Sequence, residues 1–277
     1  MDYQCFEVSV DAGVAHLRLN QPQRFNSMVR EFWAEVPRAL RELDASGGVR
    51  AAVISSTGKH FSAGMDLSVF ASPDALGTAD VMARERFRRQ LMHLQESFSA
   101  IADARFPVIA AIQGGCIGGA VDLATACCLR YCAADAYFVI QEINLGMMAD
   151  VGTMNRMPKQ LPEAIMRELA YTGDRLTAER AERLGFVNAV LPTHEAAVAA
   201  ALEVARRIAT KAPLAVAASK EMIGYSRDHS VAESFAYLNA LQPGIFSLDD
   251  IARAAAAQKA KTVPQFDNLA PLRPSLG

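Results

Sequence analysis

From residue 5 to 10, and again from 14 to 19, apolar and polar side chains alternate on either side of Asp11-Ala12-Gly13. A period of two with a turn between predicts a β-hairpin. Asn20-Gln21-Pro22-Gln23 reads as a turn. Over 28–43 the apolar positions Phe32, Val36, Leu40 and Leu43 recur at helical spacing, which predicts an amphipathic helix. The run 50–55 predicts a buried strand, 58–67 a glycine-containing loop and 71–77 a mobile segment. A longer helix is predicted over 81–101, with Phe87, Leu91, Leu94 and Phe98 on one stripe.

The apolar stretch 107–112 predicts a strand that runs into the loop Gln113-Gly114-Gly115-Cys116-Ile117-Gly118-Gly119, followed by a helix over 120–126. Strands are predicted at 129–132 and 137–140, and helices at 152–157 and 162–171. Thr177 is placed to N-cap a further helix and Gly185 to end it. A strand over 186–191 follows. Beyond Thr193 nearly everything reads as helix: 195–210, 214–225, 231–240 and 247–258. Alternating strands and helices imply an α/β core over 1–192, with a helical region over 193–277. That region is apolar enough either to meet a partner subunit or to fold back onto its own core.

Composition narrows the class. The 277 residues are 51% hydrophobic and 21% charged, with a net charge of −2. A near-neutral balance argues against a nucleic-acid surface, and the local RERFRR stretch at 84–89 reads as a solvated helix face. Five cysteines, Cys5, Cys116, Cys127, Cys128 and Cys132, lack paired metal-ligand spacing, and the five histidines are scattered. Reduced thiols and no metal site are expected. The start, MDYQCFEV, lacks a signal pattern, no apolar run is long enough to cross a membrane, and Pro274-Ser275-Leu276-Gly277 is not the Ser-Lys-Leu peroxisomal address. A cytoplasmic protein is expected, without a membrane or nucleic-acid partner.

Three carboxylates stand in apolar or glycine-rich neighbourhoods: Asp122 after Gly118-Gly119, Glu142 amid Ile140, Ile143 and Leu145, and Asp150 before Val-Gly-Thr. Desolvation raises the pKa of such groups, and several converging on one pocket would form an acid/base centre. Plainer roles remain open on the residues alone. Asp122 could be a first-turn acid facing a helix dipole, and Asp150 an N-cap for the helix near Gly152. The glycines of 61–67 and 114–119 could serve packing. They could equally expose main-chain N–H groups near Met65 and Gly119 as a two-donor oxyanion hole. The second loop lacks G-x-G-x-x-G, the nucleotide P-loop pattern and the G-x-S-x-G elbow. Cys116 has no base beside it and reads as packing.

Leu19-Asn20-Gln21-Pro22, Asn26-Ser27-Met28, AAIQGGCIGGAV at 110–121 leading into Asp122-Leu123, and Arg130-Tyr131-Cys132 form a recurrent pattern. So do Ala149-Asp150-Val151-Gly152-Thr153 and Tyr225-Ser226-Arg227-Asp228-His229-Ser230-Val231. Across nearly its whole length the chain resembles the crotonase (enoyl-CoA hydratase/isomerase) superfamily, and within it most resembles the Δ3,5-Δ2,4-dienoyl-CoA isomerases. The resemblance implies a spiral of ββα units with a C-terminal helical trimerisation region, assembled as a trimer or a dimer of trimers. It implies an acyl-CoA thioester substrate and no cofactor beyond the coenzyme A that the substrate carries. The oxyanion hole carries over to the N–H groups of Met65 and Gly119. Acyl-CoA contacts carry over to Ala63, Gly64, Met65, Asp66, Leu67 and Gly119, and the catalytic acids to Asp122, Glu142 and Asp150.

Hydratases of the superfamily carry a glutamate at each of the first two acidic positions and a small residue at the third. Here the first is the shorter Asp122, and Asp150 adds a third carboxylate. Moving a proton from C2 to C6 of a dienoyl thioester asks for two separated acids. Asp150 is expected to take the C2 proton and Glu142 to deliver one to C6, with the reverse assignment open. Enoyl-CoA hydration or another crotonase-type acyl-CoA reaction is the alternative within the superfamily, and a non-catalytic scaffold or RNA-binding relative is the alternative outside enzymology. Asn144, Met147 and Met148 depart from the isomerase pattern, which leaves the charge around Glu142 and the shape of the acyl pocket open.

Overall fold

The computed structural model describes residues 3–70 and 80–272. The segment 71–77, expected to be mobile, and Pro274-Ser275-Leu276-Gly277 fall outside the described residues. The alternating stretches at the start form β1 (Phe6–Asp11) and β2 (Val14–Leu19), paired antiparallel from Phe6–Leu19 to Asp11–Val14. β3 (Ala51–Ser56) and β4 (Val108–Ile112) add in parallel, followed later in the chain by β5 (Gly115–Ile117), β6 (Leu129–Ala133), β7 (Tyr137–Val139), β8 (Leu176–Thr177) and β9 (Ala189–Leu191). Among the described residues they make a six-stranded sheet, β1-β2-β3-β4-β6-β9, and a three-stranded one, β5-β7-β8.

The central strands are buried on both faces, as parallel strands must be when helices cover both sides. Ala52, Ile54, Val108, Ala110 and Ile112 face the larger core, while Ala51, Val53, Ile109 and Ala111 face a smaller one. The larger core is closed by α1 (Arg30–Ala45) and α2 (Val81–Asp103), where Phe32 packs edge to face on Trp33 and Phe98, and Trp33 and Phe98 meet at a tilt. α3 (Gly119–Ala126) is buried along its whole length. Next come α4 (Thr153–Arg156), α5 (Glu163–Thr172) and α6 (Ala178–Arg183), the last capped by the Thr177 hydroxyl. α7 (His194–Ala209) closes the smaller core with Ala201, Ala205 and Ala209, a stripe of small residues that lets the helix lie close on the sheet. α8 (Pro213–Asp228), α9 (Val231–Ile245) and α10 (Leu248–Ala260) complete the chain.

The structure differs from the sequence expectations at several ends. The helix expected from residue 28 starts at Arg30, because the Met28 backbone bonds to Gly64 and Asp66 instead. The loop 113–119 contains β5, which pairs with β7 and founds the second sheet. The strand expected over 186–191 shrinks to β9. Phe186 and Val187 donate to Ala181 O, and Asn188 donates to Arg130 O, so that backbone is used before it can join a ladder. α9 continues through Pro243 rather than stopping at residue 240.

Ala205 is fully buried between α7 and the sheet. Ala205→Leu should destabilise the chain by about 1–3 kcal/mol through overpacking. The measurement is the urea midpoint at unchanged slope, and an unaltered midpoint would mean that α7 does not seat as described.

Candidate active site

Two loops reach the site through main-chain bonds. Ser62 N–H donates to Gly115 O at 3.2 Å, and Ile117 N–H donates to Ser62 O at 3.1 Å. The Ser62 hydroxyl donates to Asn26 O at 2.8 Å and accepts from Gly64 N–H at 3.1 Å. Met28 N–H donates to Gly64 O at 2.8 Å, and Asp66 N–H donates to Met28 O at 3.2 Å. These last two bonds flank Met65 and turn its N–H to the other side of the strand, as alternation in a parallel bridge requires. Gly64 has φ +82°, and a Cβ there would stand 2.4 Å from Ile117 O. Only glycine lets the loops approach this closely.

Gly119 opens α3, so its N–H has no partner within the helix. A Cβ on Gly119 would lie 3.6 Å from the Met65 amide nitrogen. The two amides therefore stand side by side on the wall of a cavity of about 560 Å³. Asp122, Glu142 and Asp150 line the same cavity, as do Ala63, Asp66 and Leu67, while Gly64 does not. The rest of the lining is largely apolar, with Trp33, Leu91, Leu94, Met147 and Met148. A volume of this size suits a small-molecule ligand.

The acids differ in their surroundings. Asp122 is 1% exposed in the first turn of α3. Its Oδ1 accepts the Thr153 N–H at the start of α4, and its Oδ2 has no partner. Burial pushes the Asp122 carboxyl up to about 6, against the Thr153 bond and the Arg156 charge that favour ionisation. Glu142 sits on a short 3₁₀ helix (Gln141–Leu145), with Oε1 3.2 Å from where a Cβ on Gly118 would stand. Burial, then the charges of Asp122 and Asp150, push Glu142 up to about 7. Burial also raises the Asp150 carboxyl. The Asp150 backbone is fixed by Gln95 of α2, whose Nε2 donates to Asp150 O at 2.8 Å.

Three expectations change. Asp150 does not cap the helix near Gly152; Asp122 does, across 31 residues of sequence, because its carboxylate is the one that faces the free N–H groups of α4. Ile143, Leu145, Met147 and Met148 are themselves exposed at 39%, 48%, 36% and 70%, and the last three line the mouth of the cavity rather than a closed core around Glu142. Glu142 also packs against the backbone at Gly118. Asn144 turns away from Glu142, with Nδ2 donating to Gln141 Oε1 at 3.2 Å. Cys116 is buried and its thiol is pushed well above the usual range by that burial, which keeps it neutral.

Sequence reasoning missed several residues of this site. Arg24 and Ser27 hold the Asp66 carboxylate, each at 3.1 Å, and Ser68 N–H donates to its other oxygen at 2.9 Å. These bonds hold Asp66 ionised, as a clamp on the loop. Gln95, Thr153 and Arg156 also bear on the acids. Of these, Thr153 alone carried a local signal, as a residue opening a predicted helix.

Residues 9–268 match the enoyl-CoA hydratase/isomerase family model. The chain belongs to this family of enoyl-CoA hydratases and isomerases. It is 40% identical over 252 residues to the human mitochondrial Δ(3,5)-Δ(2,4)-dienoyl-CoA isomerase, covering 90% of this chain and 77% of that protein. It is 36% identical to the peroxisomal Δ(3,5)-Δ(2,4)-dienoyl-CoA isomerase of Arabidopsis thaliana, covering 96% and 98%. A crystal structure of enoyl-CoA hydratase from Bacillus anthracis superposes with a TM-score of 0.85 at 26% identity, covering 95% of this chain and 99% of that one. Among the described residues no helix is long and apolar enough to cross a membrane.

The raised Glu142 carboxyl makes stability depend on pH. The folded chain keeps that proton to about pH 7, whereas a free glutamate loses it near 4.5. Between these values the folded state binds more protons than the unfolded one, so Glu142 lowers stability as pH rises through the window. Glu142→Gln should therefore gain melting temperature over the wild type progressively from about pH 4.5 to about 7 and stay level above. A difference that does not change with pH would contradict this assignment.

Proposed function

We propose that the chain isomerises 3,5-dienoyl-CoA to 2,4-dienoyl-CoA. The observation that carries the reading is that Glu142 and Asp150 line one cavity together with the amides of Met65 and Gly119. Asp150 takes the C2 proton. The electrons move onto the thioester oxygen as a dienolate, where the Met65 and Gly119 N–H groups stabilise the developing charge. Glu142, whose carboxyl is held near neutrality, then delivers a proton to C6. Asp122 tunes the pair by its charge. Atoms and electrons balance within the substrate and the two acids, so the step asks for no metal, flavin or nicotinamide.

Ala63 to Leu67 and Gly119 are assigned to the acyl-CoA thioester, and the pathway to fatty-acid β-oxidation, on the likeness to the dienoyl-CoA isomerases. The catalytic core is assigned to 1–192 and subunit assembly to 193–277. Ile223, Phe235, Phe246, Leu248 and Ile251 are large apolar side chains left exposed on or beside α8, α9 and α10, which supports a homotrimer or a dimer of trimers. Sedimentation velocity should give the mass of three or six chains, and a monomer would refute the assembly. Five free cysteines, four of them buried, support a reducing compartment such as the cytoplasm. The acid/base cavity and the net charge of −2 favour an enzyme over an RNA-binding relative.

With a 3,5-dienoyl-CoA the pure protein should generate the absorbance of a conjugated 2,4-dienoyl thioester. Asp150→Asn and Glu142→Gln should each lower kcat by about 100-fold or more while acyl-CoA binding survives. Rapid hydration of a 2-enoyl-CoA that Asp150→Asn leaves intact would replace this reading with a hydratase.

A further inference from the structure

Asp122 and Glu142 are both buried carboxyls at the same cavity, and each charge disfavours the other. Something must decide which holds the proton, because a proton donor at Glu142 needs its neighbour ionised. Their surroundings differ in one respect. Each carboxyl is helped by a main-chain N–H, Asp122 by that of Thr153 and Glu142 by its own, but Asp122 is also met by a cation, whereas the charged groups acting on Glu142 are Asp122 and Asp150, both acidic.

The cation is Arg156, in the last turn of α4. Gly152 creates its berth. Gly152 has φ +145°, and a Cβ there would stand 2.0 Å from Arg156 Nη1 and 3.9 Å from Asp122 Oδ1. The guanidinium nitrogen and the carboxylate oxygen are therefore within about 6 Å of each other, a range over which an opposite charge favours the ionised acid. Arg156 Nη2 also donates to the Ser99 hydroxyl of α2 at 3.1 Å, which ties the side chain on its far side. Asp103 of α2 and Arg227 of α8 face the guanidinium as well, with the neutral Cys127 thiol. Around Asp122 the remaining groups are Asp150, Glu142 and the neutral Cys116 thiol.

We propose that Arg156, seated over Gly152 and tied to Ser99, is a positioning residue that keeps Asp122 ionised and thereby assigns the shared proton to Glu142. This rests on the reading of the cavity as an acid/base centre, but it concerns proton ownership rather than the substrate. Without the cation, Asp122 becomes the better proton holder and Glu142 the standing anion. The donor is then lost with every carboxyl still in place.

Infrared spectroscopy of the carboxylic-acid C=O stretch tests this without substrate. Near pH 6.5 the wild type should show a protonated-acid band that Glu142→Gln removes. In Arg156→Met the band should instead be one that Asp122→Asn removes, with proton affinity at Asp122 raised about ten-fold or more. Arg156→Lys should return the band to Glu142. In turnover, Arg156→Met should shift the basic limb of the pH profile to lower pH, an effect that a loss of packing alone would not produce. Should Arg156→Met fail to fold, Ser99→Ala carries the test by loosening the tether, and must move Asp122 in the same direction. A band that stays with Glu142 in Arg156→Met, or an unmoved Asp122 in Ser99→Ala, overturns the proposal. A band that migrates in a protein inactive on 3,5-dienoyl-CoA upholds proton allocation and removes the isomerase reading instead.

Discussion

Everything at the cavity hangs from the main-chain bonds that fasten one glycine loop to the other. Ser62 donates to Gly115 and accepts from Ile117, while Met28 grips the far end of the first loop at Gly64 and Asp66. Each such bond contributes only about 1 kcal/mol net, yet leaving a buried donor or acceptor unpaired costs about 1–3 kcal/mol. The lattice is therefore far more expensive to loosen than its gross strength suggests. Buried side chains extend it. Asn26 Nδ2 donates to Thr57 O at 2.8 Å and to His60 O at 3.1 Å, and Gln113 Nε2 donates to Ser56 Oγ at 2.8 Å. A pair of amides held this way would need no reorganisation to meet a negative charge placed beside them.

The same enclosure that holds the amides raises the cost of charge on the acids. Three carboxyls share one apolar-lined space, and burial is the largest influence on each. Their differences come from what each can touch. Asp122 reaches the start of α4 and so finds an N–H. Glu142, on a short turn facing Gly118, has only its own N–H to set against burial and two acidic neighbours, and keeps its proton closer to neutrality. Position on the scaffold, more than residue type, thus sets how far each carboxyl is raised.

The regions legible in sequence were those governed by local period. The hairpin, the central strands, α1, α2 and the capping by Thr177 all follow from side-chain spacing and local bonding. What escaped depends on contacts remote in sequence. β5 looks like loop because three residues between glycines form a strand only when β7 lies beside them. Met28 carries a helix-like apolar pattern, but its backbone is claimed by Gly64 and Asp66. The acids were visible as charges out of place in apolar sequence, and their sharing of a cavity followed from resemblance more than spacing. Which acid would cap α4 could not be read, since the bond spans 31 residues. The apolar residues after Glu142 suggested burial, yet neighbours in sequence on a short turn point outward to the rim.

One tie between the C-terminal helices and the elements behind this site is a half-buried cation. Lys220 of α8 donates to Ile101 O at 3.0 Å, Ala104 O at 2.6 Å and Phe106 O at 3.0 Å. Those carbonyls lie where α2 ends and the chain turns into β4, and an ammonium there satisfies acceptors that the helix end leaves open. α2 supplies Leu91 and Leu94 to the cavity wall, Gln95 to the Asp150 backbone and Ser99 to Arg156. β4 leads directly into the glycine loop that ends at Gly119. An element whose outer surface carries exposed apolar residues is thereby anchored at the junction that feeds both the cavity wall and the glycine loop. Subunit assembly on that surface would brace the carboxyls and amides from behind, through α2 and β4, without contributing an atom to the chemistry.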